Sequence, residues 1–424
     1  MADLIRAIRG MKDILPPETS RWQWVEQVAR EVFELYGYAE IRLPLLERTE
    51  LFARSIGADT DIVAKEMYTF ADRHGDSLTL RPEATAQVVR ACLENGLLKS
   101  AAGVKKFYLM GPMFRYERPQ KGRYRQFHQI NCEALGSAAP ELDAEVMLML
   151  LELLGRLGLQ NLRLLINSLG CPDCTGDFKA GLKLFLAGRE GWCDDCQRRR
   201  VTNPLRVLDC KSKNCQELLA KAPVMEDSLC EACGAHYTRV LTLLDGAGVA
   251  YEKNPRLVRG LDYYTRTAFE VTAAGLGAQD AVAGGGRYNG LARELGGPDL
   301  PALGFAIGED RLLEVLPQEA GPGDRATVFL AALGDAAKER AFFLLQEIRG
   351  QGLPAAMDFE GRSLKSQMSL ADRLGAAFVI ILGDQELAAG EAPLRRMATG
   401  EQEVLPLTEL ASLLALLTKE KEGN

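Results

Sequence analysis

Eight of the ten cysteines fall between Cys171 and Cys233, while Cys92 and Cys132 stand alone. They come as Cys171-Pro-Asp-Cys174, Cys193-Asp-Asp-Cys196 and Cys230-Glu-Ala-Cys233, with Cys210 and Cys215 between the last two pairs. In a reducing compartment such crowding reads as metal ligation before disulfides. Thiols at this spacing can share one tetrahedral ion from a tight turn, so eight of them suit two structural zinc sites. The segment is poor in large apolar residues for its length, and zinc would supply folding energy that a small core lacks. Reduced thiols without an ion and a two-thiol redox switch are the alternatives; a switch would not need four pairs. Which cysteines share an ion is left open by the spacing.

The rest of the chain is long enough for its own cores. The full chain's 424 residues suggest two to four domains, and 47% hydrophobic with 26% charged residues excludes wholesale disorder. The richest apolar run, Val146 to Leu154, is broken by Glu152, so a membrane span is not expected. Met1 to Asp13 carries Asp3, Arg6, Arg9 and Lys12 without an apolar core, which is unlike a signal peptide; the expected location is cytoplasmic. A net charge of −7 argues against nonspecific coating of nucleic acid but leaves room for a local basic groove.

Hydrophobic periodicity predicts a helix over 20–36, a strand over 38–44 closed by Pro44, and strands at 78–81, 106–115 and 125–135. The last two flank a loop at 117–124 and form a long hairpin. A helix follows at 141–157, then a strand at 266–272, a glycine cluster at 284–286, and a strand at 303–307 leading into a helix from about 309. Irregular connections between strands suggest a largely antiparallel sheet with helices, unlike a doubly wound nucleotide fold. A boundary is expected at Gly321-Pro-Gly-Asp324. Beyond it, strands at 327–333, 355–358 and 378–382 alternate with helices at 336–349 and 363–375, as in a compact α/β domain.

Four segments carry side chains that make poor core material. The hairpin loop holds Arg115, Arg118, Lys121, Arg123 and Arg125 with Tyr116, Tyr124 and Phe127 interleaved; guanidinium forks suit phosphate oxygens, and an aromatic beside them can stack on a purine. Glu117 follows Arg115 at strand spacing, on the same face. Arg259, Asp262, Tyr263 and Tyr264 bracket Gly260 within a few residues. Ala283-Gly-Gly-Gly-Arg-Tyr-Asn289 lets a backbone approach something closely. Gly304 to Arg311 is a strand passing through Gly308 into an acidic helix start. Each alone also reads as surface turn or helix-surface charge.

Together these segments resemble a known family. Arg115-Tyr-Glu117, Arg123 to Phe127 and Gly304 to Arg311 look like motifs 2 and 3 of class II aminoacyl-tRNA synthetases, with Pro44 in the place of motif 1. Leu257 to Thr265 and Gly284 to Gly290 resemble the two signatures of histidyl-tRNA synthetases; Arg81-Pro-Glu83-Ala-Thr85, Pro119 to Gln129 and Thr202 to Asp209 match as well. Asn289 stands where the family usually has Asp, and Ala84 where Gly is common, and neither removes a group assigned to chemistry.

The resemblance implies an α+β catalytic domain on a class II antiparallel sheet at 1–170 and 251–320, a cysteine-rich insertion at 171–250, and an anticodon-binding α/β domain at 325–424. It implies ATP-dependent activation of L-histidine to histidyl-adenylate, then transfer to the 3′ end of tRNA(His), by a homodimer without membrane attachment, with Mg²⁺ accompanying ATP. The implied catalytic residues are Arg115, at the α-phosphate and substrate carboxylate, and Arg259, the family's own cation where related enzymes place a metal. Histidine would be bound by Glu83, Thr85, Arg115, Gln129, Glu133, Arg259, Tyr263 and Tyr264. ATP would be bound by Arg115, Glu117, Arg123, Phe127 and Arg311. Gln129 and Glu133 are four apart in a strand and share a face, whereas His128 should face away. Arg198 to Arg200 read as a solvated charge run, with contact to tRNA backbone as the alternative. The rival function is a catalytically inactive regulatory paralogue of ATP phosphoribosyltransferase, but such paralogues lose the C-terminal domain and much of the synthetase chemistry, both kept here. A zinc-dependent RNA-binding module would need disabled ATP motifs.

Overall fold

The computed structural model describes residues 4–57, 60, 62–98, 103–120, 122–273, 281–317, 320–321, 327–409 and 414. Lys121 and most of the Gly321–Asp324 boundary therefore lie outside the described residues. The chain divides into two compact units, Met1–Gly321 and Pro322–Asn424.

In chain order the strands of the first unit are β1 (Ala39–Glu40), β2 (Leu46–Arg48), β3 (Tyr68–Ala71), β4 (Ser77–Leu80), β5 (Lys105–Phe114), β6 (Gln126–Leu135), β7 (Arg163–Ser168), β8 (Tyr251–Lys253), β9 (Thr265–Thr272), β10 (Ala281–Arg287) and β11 (Ala302–Gly308). Eight of them form one sheet in the order β1-β5-β6-β11-β10-β9-β7-β8, while β2, β4 and β3 make a small antiparallel sheet. The five central pairings from β5 to β7 are antiparallel, and only the outer pairs β1–β5 and β7–β8 are parallel. This is the antiparallel α+β architecture expected of the chain.

Two long helices help to cover one face of this sheet. Glu18–Leu35 buries Val25, Ala29, Val32 and Phe33 at helical spacing, and Pro140–Arg156 opens with Pro140 at its first turn and buries Val146, Met147, Leu150 and Leu154. Both belong to the large core that also holds Ile130, Phe269, Val271, Phe305 and Ile307. Beneath this core lies a buried ion-pair network: the Arg287 guanidinium is gripped by both carboxylate oxygens of Asp143, and His236 Nε2 lies 3.2 Å from Asp143 Oδ1. The neighbouring His236 and Arg287 hold the Asp143 carboxyl below its usual range against the opposing effect of burial.

The strand expected over 38–44 pairs only at β1. After Ile41 donates to the Tyr108 carbonyl, the next carbonyls are taken by side chains: Leu43 accepts from Arg81 and Pro44 from Gln87. The glycine cluster is a strand at the centre of the sheet, where sequence propensity gives no hint of one. β7, between β9 and β8, also went unrecognised.

The cysteine-rich segment joins β7 to β8 and is helical, with helices at Pro172–Ala187, Asp194–Thr202, Lys213–Leu218 and Glu231–Gly246. It has its own core, in which Phe178, Leu182, Trp192, Val207 and Leu219 pack around the cysteines.

The second unit contains β12 (Thr327–Ala332), β13 (Ala355–Met357), β14 (Ala376–Leu382), β15 (Glu391–Arg396) and β16 (Gln402–Pro406), ordered β13-β12-β14-β15-β16. The helices Asp335–Gly350 and Leu364–Arg373 connect the parallel strands, as the alternating pattern predicts. β15 and β16 extend the sheet antiparallel and were not anticipated, because Pro393 and the charged run Arg395-Arg396 disguise β15.

Candidate active site

The hairpin β5–β6 carries the first half of the site. Its register runs from Lys105 opposite Leu135 to Phe114 opposite Gln126, so the 115–125 loop projects from one end of the sheet. Arg115 is fixed there by donation from Nε to the Pro82 carbonyl (2.9 Å), and its guanidinium lies 5.1 Å from the centre of the Phe127 ring. Glu117 pairs with Arg123 at 3.0 Å. Arg311, on the helix after β11, reaches back to donate to the carbonyls of Gly122 (3.2 Å) and Ala281 (3.0 Å). Burial, with Arg123 nearby, lowers the pKa of that guanidinium, a setting in which added negative charge is welcome.

Two buried carboxyls stand at the inner end. Glu83 accepts from the backbone N–H groups of Thr85 (2.7 Å) and Ala86 (3.0 Å), and so occupies the N-terminus of the helix Thr85–Glu94. Burial still pushes its pKa up. Glu133 accepts from the Thr85 hydroxyl at 2.6 Å and from the Tyr288 hydroxyl at 2.5 Å. Burial raises its pKa to about 8 despite those bonds, with the Glu83 charge adding to the rise. A Cβ on Gly304, which pairs with Glu133 across β11 and β6, would collide with this carboxylate; glycine is required there by close approach.

Arg259 enters from the loop before β9. Its Nη1 donates to Glu270 at 2.9 Å, and its guanidinium lies 5.7 Å from the Tyr264 ring centre. The Nε of Arg259 and the Oε1 of Gln129 are buried and find no partner among the described residues. Any side chain at Gly284 would run into the Arg259 guanidinium, which gives the central glycine strand its reason. Tyr263 is buried, its ring 4.8 Å from that of Tyr264, and its hydroxyl lies 3.5 Å from Glu83.

All of these side chains meet in one cleft of about 360 Å³: Glu83, Thr85, Arg115, Glu117, Arg123, Phe127, Gln129, Glu133, Arg259, Tyr263, Tyr264 and Arg311 line it. The His128 ring packs edge-on against Trp22, 5.0 Å between centres, while its backbone N–H donates to Asp310. Sequence reasoning passed over Glu270 and Tyr288. Glu270 is the single acid of β9, and Tyr288 follows the glycine strand directly; they hold Arg259 and Glu133 respectively. The altered positions are accommodated: Asn289 Oδ1 accepts from the Ala302 N–H at 3.2 Å, as either oxygen of an aspartate could, and Ala84 is buried.

Residues 10–172 and 196–312 match the histidyl-tRNA synthetase family, and residues 327–416 match an anticodon-binding domain. The chain belongs to the histidyl-tRNA synthetase family. The histidine–tRNA ligase of Solidesulfovibrio magneticus is 52% identical over 421 residues, covering 97% of this chain and 99% of that one. The ligase of Geobacter sulfurreducens is 52% identical over 406 residues, covering 96% and 98%. The crystal structure of apo histidyl-tRNA synthetase from S. aureus superposes with a TM-score of 0.82 at 38% identity, covering 97% of this chain and all of that one. Family membership makes the chain an aminoacyl-tRNA ligase for histidine and not the regulatory paralogue. No helix among the described residues is long and apolar enough to cross a membrane.

Proposed function

We propose that the cleft performs both half-reactions of histidine–tRNA ligation with the side chains named above. A carboxylate oxygen of L-histidine attacks the α-phosphorus of ATP; the new P–O bond forms as the bond to the β-phosphate breaks, and pyrophosphate departs with its Mg²⁺. The terminal ribose hydroxyl of tRNA(His) then attacks the activated carbonyl and AMP leaves. Negative charge grows on the α-phosphate oxygens in the first step, so fixed cations there give the largest share of acceleration.

Arg115 and Arg259 hold the α-phosphate, and Arg115 also aligns the attacking carboxylate. Phe127 stacks on adenine, Glu117 and Arg123 bind the nucleotide, and Arg311 covers its other side. Glu83, Thr85 and Gln129 take the substrate amino group, while Glu133 and Tyr264 pair with the imidazole nitrogens and Tyr263 lines that pocket. The observation that carries this division is the set of polar atoms left waiting in one cleft: Arg259 Nε and Gln129 Oε1, beside two buried carboxyls. A buried polar atom without a partner is costly, and a polar substrate removes that cost.

The same reading has the C-terminal unit contacting the anticodon, the insertion touching tRNA, a cytoplasmic homodimer, and structural zinc in the cysteine-rich segment. Histidine-dependent ATP–pyrophosphate exchange, run against all twenty amino acids without tRNA, tests the activation step. Exchange with histidine alone is expected. A folded chain showing no exchange with any of them, Mg²⁺ supplied, would overturn it.

A further inference from the structure

We infer that the cysteine-rich segment holds two zinc ions, one under Cys171, Cys174, Cys230 and Cys233 and one under Cys193, Cys196, Cys210 and Cys215, and that the second ion fixes the peptide presenting Arg259 to the cleft. The metal assignment stands on the thiols alone; its effect on activity rests on the role given above to Arg259.

The two sets of sulfurs are each drawn within 4.8 Å of one another. A zinc–sulfur bond of about 2.3 Å sets tetrahedral sulfurs about 3.8 Å apart. Here Cys171 and Cys174 are 3.6 Å apart, Cys171 and Cys230 4.0 Å, and Cys193 and Cys210 3.7 Å. All eight are free of disulfides. Backbone N–H groups point at the sulfurs: Cys230 N–H at Cys174 Sγ (3.0 Å) and Cys193 N–H at Cys215 Sγ (3.4 Å). Cys171, Cys193 and Cys230 each sit in extended conformation immediately before a helix, with the second cysteine of each pair in its first turn. The fold thus delivers each pair to one point.

The second set is nested inside the first, and the chain between its ligands touches the cleft. Asn203 Nδ2 donates to Asp262 Oδ1 at 2.9 Å, and Arg206 Nη1 donates to the Arg259 carbonyl at 3.1 Å. Asp209 and Lys211, on either side of Cys210, line the cleft itself. An ion under Cys193, Cys196, Cys210 and Cys215 therefore holds both ends of the segment that grips the Arg259 peptide. Asn203 and Arg206 are positioning residues; neither faces the reacting atoms.

Metal analysis of the full chain, purified under reducing conditions without added metal, should give two zinc per chain. Cys193→Ser with Cys210→Ser should lower that to one, and Cys171→Ser with Cys230→Ser should remove the other. Arg206→Ala should keep both ions yet lower kcat for histidine-dependent exchange about tenfold, with KM for histidine little changed. Cobalt substituted for zinc should give the intense charge-transfer absorption of a four-thiolate site. Fewer than two zinc per chain, iron in their place, or eight free thiols overturns the metal assignment. Two zinc with an unchanged kcat in Arg206→Ala overturns the link to Arg259, and neither measurement depends on a cysteine variant folding. A wild-type chain that binds two zinc but shows no exchange would refute the active-site reading and leave the metal assignment standing.

Discussion

Replacing Glu133 with glutamine should make the first unit more stable in alkali while disabling histidine recognition. The carboxyl is fully enclosed, with hydroxyls from Thr85 and Tyr288 on its two oxygens, and its pKa rises from 4.5 to about 8 in the fold. A group whose folded pKa is raised has its full stability below the unfolded value and loses it as pH climbs through the folded one. Below pH 4.5 the group is therefore neutral in both states; above it the unfolded chain releases the proton and the folded chain resists. At about 1.4 kcal/mol per tenfold, this penalty is about 2 kcal/mol at pH 6 and about 5 kcal/mol at pH 9. Glu133→Gln has no proton to lose, so its stability relative to wild type should grow by about 3 kcal/mol across that interval, or roughly 5 °C in Tm. The three tryptophans, Trp22, Trp24 and Trp192, all lie in the first unit, so their fluorescence reports its melting alone. Comparing variant with wild type at each pH cancels the other titrating groups. A difference that stays flat from pH 6 to pH 9 would mean that Glu133 is ionised in the fold. In the same variant KM for histidine should rise roughly a hundredfold, since a buried hydrogen-bonding site is left mismatched.

Arg259→Ala should reduce the rate of adenylate formation at least about a hundredfold and histidine affinity far less, because the charge it meets develops in the transition state; equal losses in exchange rate and histidine binding would refute that assignment. Gly284→Ala should reproduce most of that defect in a chain with an ordinary melting curve, since its methyl occupies the space of the Arg259 guanidinium; normal exchange kinetics would show that the guanidinium has room to move. Asp143→Asn should lower the stability of the first unit by about 3–5 kcal/mol, by leaving the Arg287 guanidinium buried without its counter-charge, and denaturant titration followed by tryptophan fluorescence measures it.

Much of the site was legible because its residues are packed into short strings whose chemistry is conspicuous. Arg115, Glu117, Arg123 and Phe127 share one hairpin loop and its flanks, and the apolar content of 106–115 and 125–135 places that hairpin to within a residue. What stayed hidden depends on partners distant in sequence. The glycine strand exists because Arg259 and the neighbouring strands crowd it, a pressure absent from the local sequence. Glu270 and Tyr288 act by holding Arg259 and Glu133, so neither announces itself alone. The run from Tyr38 has the alternation of a full strand, but Arg81 and Gln87 claim its carbonyls. The grouping of the cysteines was equally invisible, because the first pair joins the last and not its nearest neighbour.

That grouping brings the entrance and exit of the cysteine-rich segment together: Cys171 and Cys230 lie 4.0 Å apart at their sulfurs, close to where the chain leaves β7 and before it returns through a helix to β8. For the host sheet, everything between is a detour that ends where it began. Lengthening or trimming such a detour adds only the slowly growing entropy of a closed loop and moves no strand. The sheet and its detour can therefore change on separate evolutionary schedules, the strands held by the demands of adenylate chemistry and the segment free to be resized around its own small core. The contacts of Asn203 and Arg206 with the peptide around Arg259, and of Asp209 and Lys211 with the cleft, are the positions where the two must be kept in step.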